Sequence, residues 1–368
     1  MSTDQRSVAA ATIASLPLIT PPRVTRMLEA FGDPISALAA VRAGRVTKYI
    51  GRCDDMTPTA LAAQWRELAE SSSVGAQLHG RETHVWIAGD DDYPIRDEVP
   101  NRPSVLLGEG QRPDAFEAPR VAIVGTRSAT PHGLADAREL GGFLADIGAT
   151  VVSGLALGID GAAHEGALDA GGLAIGVVAT GLDVTYPRRH KALYARVREH
   201  GLVVSEHGYG VQPNRMRFPD RNRIIAALAD VVVVVEATAK GGARITAGYA
   251  MEYGREVWVC PGSRRNPSAA GCNALIVDGA HPILEPSDLL LALGRGGTRS
   301  GRWASDEADG PSDRDEKAVL HAMGGDPTTI DDLERETAAL GPARLGAALN
   351  RLERGGRIVR RRGLWWPT

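Results

Sequence analysis

An aromatic residue among arginines comes just before the most apolar stretch of the chain. The segment NRMRFPDRNR contains the following residues of interest: Arg215, Phe218, Arg221, Asn222 and Arg223. Arginine side chains suit phosphate oxygens and an exposed ring stacks on a base, so this composition is typical of a surface that binds single-stranded nucleic acid. Pro213 and Pro219 predict a loop with fixed bends at the rim of a sheet. In the alternative interpretation, Phe218 packs in the core and the arginines pair with Asp220 and Glu206.

Two turns that follow predicted strands have the composition of anion-binding loops. Gly125, Thr126 and Arg127 come at the end of the strand RVAIVG, and Ser153 and Gly154 come at the end of ATVVSG. Glycine-rich turns let backbone N–H groups approach an anion, and the following helix points the positive end of its dipole at it. Arg127 would supply the counter-charge. Alternatively, the glycines only form tight turns between strand and helix.

No catalytic arrangement can be identified. The sequence has neither GxGxxG nor GxxxxGK[ST], which disfavours a dinucleotide dehydrogenase or a P-loop NTPase. His164 lies four residues after Asp160, and a structural hydrogen bond between them is favoured over a metal or acid–base pair, because no third ligand is in view. Glu206 and Glu236 follow predicted strands without a motif partner. We therefore expect a protein without catalytic residues, metal or cofactor.

The elements that position these residues alternate from Arg120 onward between strands, glycine-rich turns and helices. Five consecutive valines, Val231–Val235, predict a strand buried on both faces. Alternation of this kind predicts the fold class α/β, with an extended Rossmann-like, doubly wound parallel sheet. Ligands of such sheets bind at the carboxyl ends of the strands, where the strand order reverses.

Composition shifts divide the chain into predicted domains. We expect a small helical domain at residues 1–78, a Rossmann domain at 79–292 and a linker at 293–313, where apolar periodicity is lost. Residues 314–368 predict three short helices and a β-hairpin, which together suggest a winged helix.

The bulk composition limits the classes of partner. The 368 residues are 43% hydrophobic and carry a formal net charge of −3, so a site for a polyanion must be a local cluster. The three cysteines, Cys53, Cys260 and Cys272, are not closely spaced, which disfavours disulfides and cysteine-based zinc sites and fits a reducing cytoplasm. Neither a signal peptide nor a membrane span is expected.

Taken together, these motifs resemble the DprA/Smf family of bacterial DNA-processing proteins. The resemblance covers most of residues 85–285, in the family's order, through VAIVGTR, VSGLALGIDGAAHEGAL, ATGLDVTYPRRHKAL, SEHGYGVQPNRMRFPDRNRIIAALADVVVVVEA, GGARITAGYAMEYGREVWVCPG and GCNALIVDGA. It implies a homodimer that binds and protects single-stranded DNA, displaces single-strand-binding protein and delivers the strand to the RecA recombinase during natural transformation. Within it, Arg127 matches a phosphate-contacting arginine, Arg215 a basic groove position and Phe218 a base-stacking aromatic.

The resemblance extends to both ends of the chain. The N-terminal unit is similar to the family's helix-hairpin-helix, which typically has glycines where Leu18 and Thr20 stand here. The C-terminal unit is similar to the family's winged helix. Two other functions stay open: a nucleotide-processing enzyme of the lysine-decarboxylase-like type, whose PGGxGTxxE signature is missing, and a winged-helix transcriptional regulator. A regulator would use the polar side chains of residues 342–355, namely Arg344, Asn350, Arg351 and Arg354.

Overall fold

The valine stretch forms an interior strand of a nine-stranded sheet in the computed structural model of the protein, and Val231–Val235 are all buried. The structure describes residues 5–51, 56–71, 73–294, 311–323, 328–338, 340–354, 357–361 and 364–367. Cys53 and residues 295–310 of the predicted linker lie outside these ranges.

Short helices precede the sheet, as predicted. They are α1 (Gln5–Ala14), α2 (Pro21–Phe31), α3 (Pro34–Arg42), α4 (Thr47–Ile50), α5 (Pro58–Glu70) and α6 (Val74–Gly80). Proline in the first turn and an Asp33 or Thr57 side chain that accepts backbone N–H groups explain where α3 and α5 begin. In the hairpin between α1 and α2, Leu18 adopts the left-handed conformation that glycine usually supplies, with φ of 55°.

The sheet and its helices alternate along the chain. The strands are β1 (Thr83–Ile87), β2 (Val105–Glu109), β3 (Arg120–Val124), β4 (Thr150–Ser153), β5 (Ala174–Val177), β6 (Gly201–Ser205), β7 (Val231–Val234), β8 (Glu256–Val259) and β9 (His281–Pro282). The helices are α7 (Pro131–Asp146), α8 (Ile159–Asp169), α9 (Lys191–Glu199), α10 (Arg217–Leu228), α11 (Gly242–Glu252), α12 (Ala270–Val277) and α13 (Asp288–Ala292). The strand order is β1-β2-β6-β5-β4-β3-β7-β8-β9. All pairs from β6 to β9 are parallel, so the predicted doubly wound α/β fold is confirmed.

Strand β3 marks the point where the strand order reverses. It pairs in parallel with β4 on one side and with β7 on the other, so that Val121 lies opposite both Val151 and Val231. The connections after β3 and β7 therefore diverge at the carboxyl edge of the sheet and leave a crevice between them.

The N-terminal helices and the sheet share a hydrophobic core. One buried cluster contains Ile13 and Trp65 of the helices together with Tyr194 and Val203 of the sheet layer. By contacts, Met1–Gly297 form one compact unit, so the helices predicted as a separate domain pack directly on the Rossmann sheet.

A second compact unit, Thr298–Thr368, has its own core. It contains α14 (Pro311–Met323), α15 (Ile330–Glu336), α16 (Gly341–Arg354) and the hairpin strands β10 (Ile358–Arg361) and β11 (Leu364–Pro367). The three helices and the hairpin agree with the predicted winged helix. Among the described residues, no helix has both the length and the apolar character needed to cross a membrane.

Candidate nucleic-acid interface

A cleft of about 300 Å³ opens where the strand order reverses. Gly125, Thr126 and Arg127, which follow β3, form one wall of this cleft, and Ala237 and Thr238, which follow β7, lie in the other. Val124, the last residue of β3, also lines the cleft. The remaining lining comes from α8, α10 and α11 and the turns before them, namely Ala156, Asp160, Arg221, Asn222, Ile225, Gly241, Gly242, Ala243 and Thr246. We call this crevice the switch-point cleft.

Two glycines allow the walls of the switch-point cleft to approach each other. A Cβ on Gly125 would lie 2.7 Å from the Cβ of Ile159 and 2.9 Å from the carbonyl oxygen of Glu236. Gly158, just before α8, has a φ of 82°, and a Cβ there would lie 2.8 Å from the carbonyl oxygen of Arg127. The Thr126 N–H donates to the Glu236 carbonyl oxygen at 2.7 Å, which joins the two walls directly. The predicted glycine-rich turns therefore have both a structural and a cleft-forming role.

Arg221 lies at the floor of the switch-point cleft and is only 4% exposed. Its Nη1 donates to the Gly154 carbonyl oxygen at 2.8 Å and to the Val177 carbonyl oxygen, so it joins the ends of β4 and β5. Asp160 accepts from the Gly154 N–H at 3.1 Å. Burial raises the pKa of Asp160, while the positive charge of Arg221 opposes that rise. Arg221 therefore positions the second glycine-rich loop.

The same loop contains a residue in an unusual backbone conformation. Leu155 is fully buried with a φ of 54°, a conformation that costs free energy for any residue other than glycine. Its carbonyl oxygen lies 3.0 Å from the Nδ1 of His190, and Arg221 holds the preceding residue, Gly154. Contacts on both sides thus keep this loop in its strained conformation beside the cleft.

Two aromatic rings and an arginine lie together at the surface near the switch-point cleft. The guanidinium of Arg127 lies 4.9 Å from the centre of the Phe218 ring, and the ring of Tyr186 lies 5.4 Å from the same centre. Phe218 is half-buried, whereas Arg127 and Tyr186 are exposed. Among the described residues, no carboxylate forms an ion pair with Arg127, so its charge is available to a ligand. We refer to Arg127, Tyr186 and Phe218 as the aromatic platform.

The prediction of a loop around Phe218 is wrong from Arg217 onward, because α10 begins there. Pro219 is tolerated since the N–H groups of a helix's first turn have no partner within the helix. Two residues along a helix correspond to a rotation of about 200°, so Arg221 and Arg223 point to opposite sides. Arg221 lines the switch-point cleft, whereas Arg223 lines a separate groove beside the N-terminal helices and forms a buried ion pair with Glu206.

The structure brings together some of the predicted site residues and separates others. The switch-point cleft contains Gly125, Thr126, Arg127, Arg221 and Asn222, and Phe218 is linked to it through Arg127. Ser153, Gly154, Arg215 and Arg223 do not line it. Ser153 is buried and its hydroxyl donates to the Ile123 carbonyl oxygen at 2.6 Å, and Arg215 is exposed on the segment before α10.

The acidic and histidine residues without motif partners are also accounted for. Glu206 pairs with Arg223, and Glu236 Oε2 accepts from the Thr130 N–H at 2.8 Å. His164 is fully buried, and burial lowers its pKa to about 3. The expected hydrogen bond between His164 and Asp160 is absent from the described part of the chain, since Asp160 accepts from Gly154 instead. Within the same ranges, no group of three or more His, Cys, Asp or Glu side chains could hold a metal.

Sequence reasoning missed the wall that follows β7 and the second ring of the aromatic platform. The missed residues are Tyr186, Ala237, Thr238, Gly241, Gly242, Ala243 and Thr246. The segment TAKGG after β7, residues 238–242, is rich in glycine and other small residues, as is the turn after β3. That composition was the available signal, but it indicates a shared cleft only once β7 is known to lie next to β3.

Comparison with known proteins matches a large part of each of the two compact units. A family model described as DNA recombination-mediator protein A matches residues 84–294, and a model of the DprA winged helix domain matches residues 304–363. Protein Smf of Synechocystis sp. is 42% identical over 221 residues, which cover 59% of this chain and 56% of that protein. The chain therefore spans little more than half the length of this curated relative.

Solved structures resemble the protein in fold as well as in sequence. DNA processing protein A from Streptococcus pneumoniae has a TM-score of 0.61 at 32% identity, covering 79% of this chain and 98% of that one. DNA processing protein A from Helicobacter pylori, described for its single-stranded DNA binding mode, has a TM-score of 0.52 at 29% identity, covering 58% of this chain and 96% of that one. The first family model matches residues 84–294, which are more than half of this chain. The chain therefore belongs to the DprA/Smf family.

Proposed function

We propose that this protein binds and protects single-stranded DNA and loads the RecA recombinase onto it during natural transformation and recombination. In this proposal it is a DNA-processing mediator without catalytic activity or cofactor. The observation that carries the proposal is the aromatic platform, where the unpaired charge of Arg127 lies beside two rings at the mouth of the switch-point cleft.

The chemistry of the aromatic platform suits a single strand better than a duplex. Arg127 can bind a backbone phosphate while an unstacked base packs on Phe218 or Tyr186, and stacking on an aromatic side chain contributes about 1–3 kcal/mol per base. Bases of a duplex are already stacked on each other and do not offer their faces. The names of the relatives, which include a structure described for single-stranded DNA binding, support the same substrate class.

Fluorescence anisotropy with labelled oligonucleotides tests the binding step. We expect the protein to bind a single-stranded oligonucleotide much more tightly than the duplex of the same sequence. Equal affinity for both, or sequence-specific binding to the duplex, would favour the regulator instead.

RecA filament formation on strands coated with single-strand-binding protein tests the loading step. Addition of this protein should shorten the lag before filaments form. If it binds the strand tightly and leaves the lag unchanged, the loading part of the proposal is wrong while the binding part stands.

The regulator is less favoured because two of its proposed base-reading side chains are already engaged. Arg344 Nε donates to Asp315 Oδ2 at 2.9 Å, and Arg351 Nε donates to Glu316 Oε1 at 2.6 Å, so these two arginines of α16 are tied to α14. The enzyme alternative predicts release of base from nucleotides. Incubation with a nucleotide panel, followed by chromatography, would detect it.

A further inference from the structure

The helix that follows β3 already has a protein carboxylate at its N-terminus. In Rossmann-type sheets, this helix start is where the phosphates of a bound nucleotide usually lie. Here, the Thr130 hydroxyl accepts from the Gly133 N–H at 3.1 Å, and the Thr130 N–H donates to Glu236 Oε2 at 2.8 Å. Two donors that a phosphate could use here, the Thr130 and Gly133 N–H groups, are therefore occupied from within the chain.

The side chain of Glu236 is fixed in this position from several directions. It is only 5% exposed, and its own carbonyl oxygen accepts from the Thr126 N–H at 2.7 Å. Gly133 makes room for the carboxylate, because a Cβ at that position would lie 2.6 Å from Glu236 Oε2 and 3.1 Å from its Cδ. The first turn of α7 is thus shaped around this carboxylate.

The surrounding charge also opposes a second anion. Asp136, one and a half turns along α7, has a pKa that burial raises; the charge of His132 opposes this rise and the charge of Glu236 adds to it. Two acidic groups therefore share this end of the sheet edge, whereas the exposed cation, Arg127, lies on the side of the aromatic platform.

We infer that Glu236 is a specificity-determining residue: its carboxylate occupies the phosphate position at the start of α7 and excludes free phosphates and mononucleotides from it. Carboxylate and phosphate oxygens both accept backbone N–H groups, so the one replaces the other at a helix N-terminus. A phosphate of a polynucleotide is then bound only at the outer, Arg127 side, where the neighbouring bases can reach the aromatic platform. The exclusion of free phosphate is a property of this helix start and does not depend on whether the platform binds DNA.

Anion-dependent stability of Glu236→Ala tests the inference. Thermal unfolding is measured in sodium phosphate and in sodium chloride of equal ionic strength. Phosphate is excluded from protein surfaces and raises the midpoint of folded proteins in general, so the difference between the two salts in wild type is the reference, and a phosphate-specific rise is the excess over it. In chloride, the midpoint of the variant should be lower than that of wild type. In phosphate, the variant should regain part of this loss, and its midpoint should rise by about 2–4 °C for each kcal/mol of phosphate-binding free energy.

Two further variants separate specific anion binding from general destabilisation. Glu236→Gln keeps the volume and an acceptor oxygen, so it should fold and show no phosphate-specific rise. Asp136→Ala removes one acidic group from α7 without freeing the Thr130 N–H, and it should also show none. If Glu236→Ala does not fold, Glu236→Ser replaces it, since serine leaves room for an anion and retains some capping.

Calorimetric titration with AMP provides the second measurement. Glu236→Ala, or Glu236→Ser in its place, should bind AMP at least tenfold more tightly than wild type does. The inference would be overturned if phosphate raised the midpoint of wild type and variant equally, or if both bound AMP with the same affinity. It would also be overturned if the folded variant showed neither a phosphate-specific rise nor AMP binding. None of these measurements uses DNA, so their failure would leave the proposed strand binding untouched.

Discussion

Two side chains, Arg127 and Phe218, contact each other although they are 91 positions apart in the sequence. A guanidinium above a ring face is attracted by the ring quadrupole, and the 4.9 Å separation lies within the range of such pairs. The contact holds the charge of Arg127 next to a partly exposed π-face. A strand that lies across both would use the charge for a phosphate and the ring for the adjacent base.

We expect Arg127→Ala to weaken single-strand binding for every sequence alike, because a phosphate contact carries no sequence information. The slope of log affinity against log salt should become shallower by roughly 0.7, the contribution of one phosphate contact on a single strand. Anisotropy titrations over a range of salt concentrations measure both quantities. Arg138→Ala is the matched control, since Arg138 lies on α7 and pairs with Glu165 outside the cleft. Unchanged affinity and slope in Arg127→Ala would remove this residue from the site.

The change Phe218→Ala distinguishes a ring that stacks on a base from one that serves the core. A fully buried phenylalanine loses about 3–5 kcal/mol of unfolding free energy on this change, and the half-buried Phe218 should lose less. The binding free energy should fall by about 1–3 kcal/mol, which is a loss of affinity of roughly five- to more than a hundred-fold. Phe218→Leu keeps apolar bulk without a π-face and should show a similar loss of affinity.

Phe143 provides the comparison for stability. It packs against the core on α7, away from the aromatic platform, so Phe143→Leu should lower the melting midpoint and leave affinity intact. A Phe218 variant with the same behaviour as Phe143→Leu would assign Phe218 to the core.

At the level of elements, α10 serves both sides of the molecule. One face carries Arg221, Asn222 and Ile225 to the switch-point cleft, and the other carries Arg217, Asp220 and Arg223 to the groove beside the N-terminal helices. The buried guanidinium of Arg221 is the connection between this helix and the loop that contains Leu155. The position of α10 and the conformation of that loop are thus coupled through one side chain.

Arg221→Met keeps most of the apolar stem of the side chain and removes its donors. The carbonyl oxygens of Gly154 and Val177 would then be buried without this partner, at a cost of about 1–3 kcal/mol each. Urea unfolding should therefore show a clear loss of stability, together with weaker DNA binding. Combining the change with Asp160→Asn should cost less than the sum of the two single changes, because each removes a charge that the other neutralises. Additive losses would show that the two side chains are not coupled.

The buried histidine of α8 makes stability depend on pH. His164 has a pKa lowered to about 3 by burial, whereas an exposed histidine titrates near 6.5. Below pH ~6.5 the unfolded chain binds a proton that the folded chain does not, so unfolding free energy is lost as the pH falls, by about 1.4 kcal/mol per pH unit. His207, with a pKa lowered to about 4, adds a contribution of the same sign.

Urea unfolding between pH 7.5 and 4.5 measures this dependence. His164→Gln should reduce the slope below pH 6.5 by about 1.4 kcal/mol per pH unit, the contribution of one proton. A variant with the same pH dependence as wild type would show that His164 is not the titrating group.

The whole molecule consists of two compact units, each with its own core. All the residues of the switch-point cleft and the aromatic platform lie in the first unit. We therefore expect a chain shortened to residues 1–294 to fold and to bind single-stranded DNA within a few-fold of the full chain. Circular dichroism and anisotropy check the two parts. Loss of binding by a well-folded shortened chain would place the winged helix in the primary site.

The family resemblance implies a homodimer, and we propose the β9 edge of the sheet as its interface. Beside this two-residue edge strand, Val277 is 87% exposed and Leu284 is 71% exposed, and exposed apolar side chains favour association. Val277→Asp should shift the sedimentation coefficient from dimer to monomer, while Leu68→Asp on α5 should not. A dimer that survives Val277→Asp together with Leu284→Asp would have its interface elsewhere.

The sequence by itself determined the fold class and much of the chemistry. Buried valine runs, glycines after strands and the regular alternation of elements require a parallel sheet with helices on both faces, and local periodicity is enough to show them. Arginines beside an aromatic indicated Phe218, Arg221 and Asn222 as candidates, and the glycine-rich turn after a strand indicated Arg127. The structure brings these four residues to the switch-point cleft or next to it. Their contact with DNA stays a prediction, as does that of Arg215, Ser153, Gly154 and Arg223.

Tertiary structure alone decided which of these groups meet. The chain does not encode locally that β7 lies next to β3, since strand order depends on which hydrophobic faces pack together over long separations. That pairing brings Ala237 and Thr238 opposite Gly125 and places the carboxylate of Glu236 at the start of α7. Arg221 and Arg223 lie on opposite sides because the segment that contains them is helical and not a loop. A helix makes that separation because each residue turns it by about 100°, whereas a loop would have allowed both side chains to share one ligand.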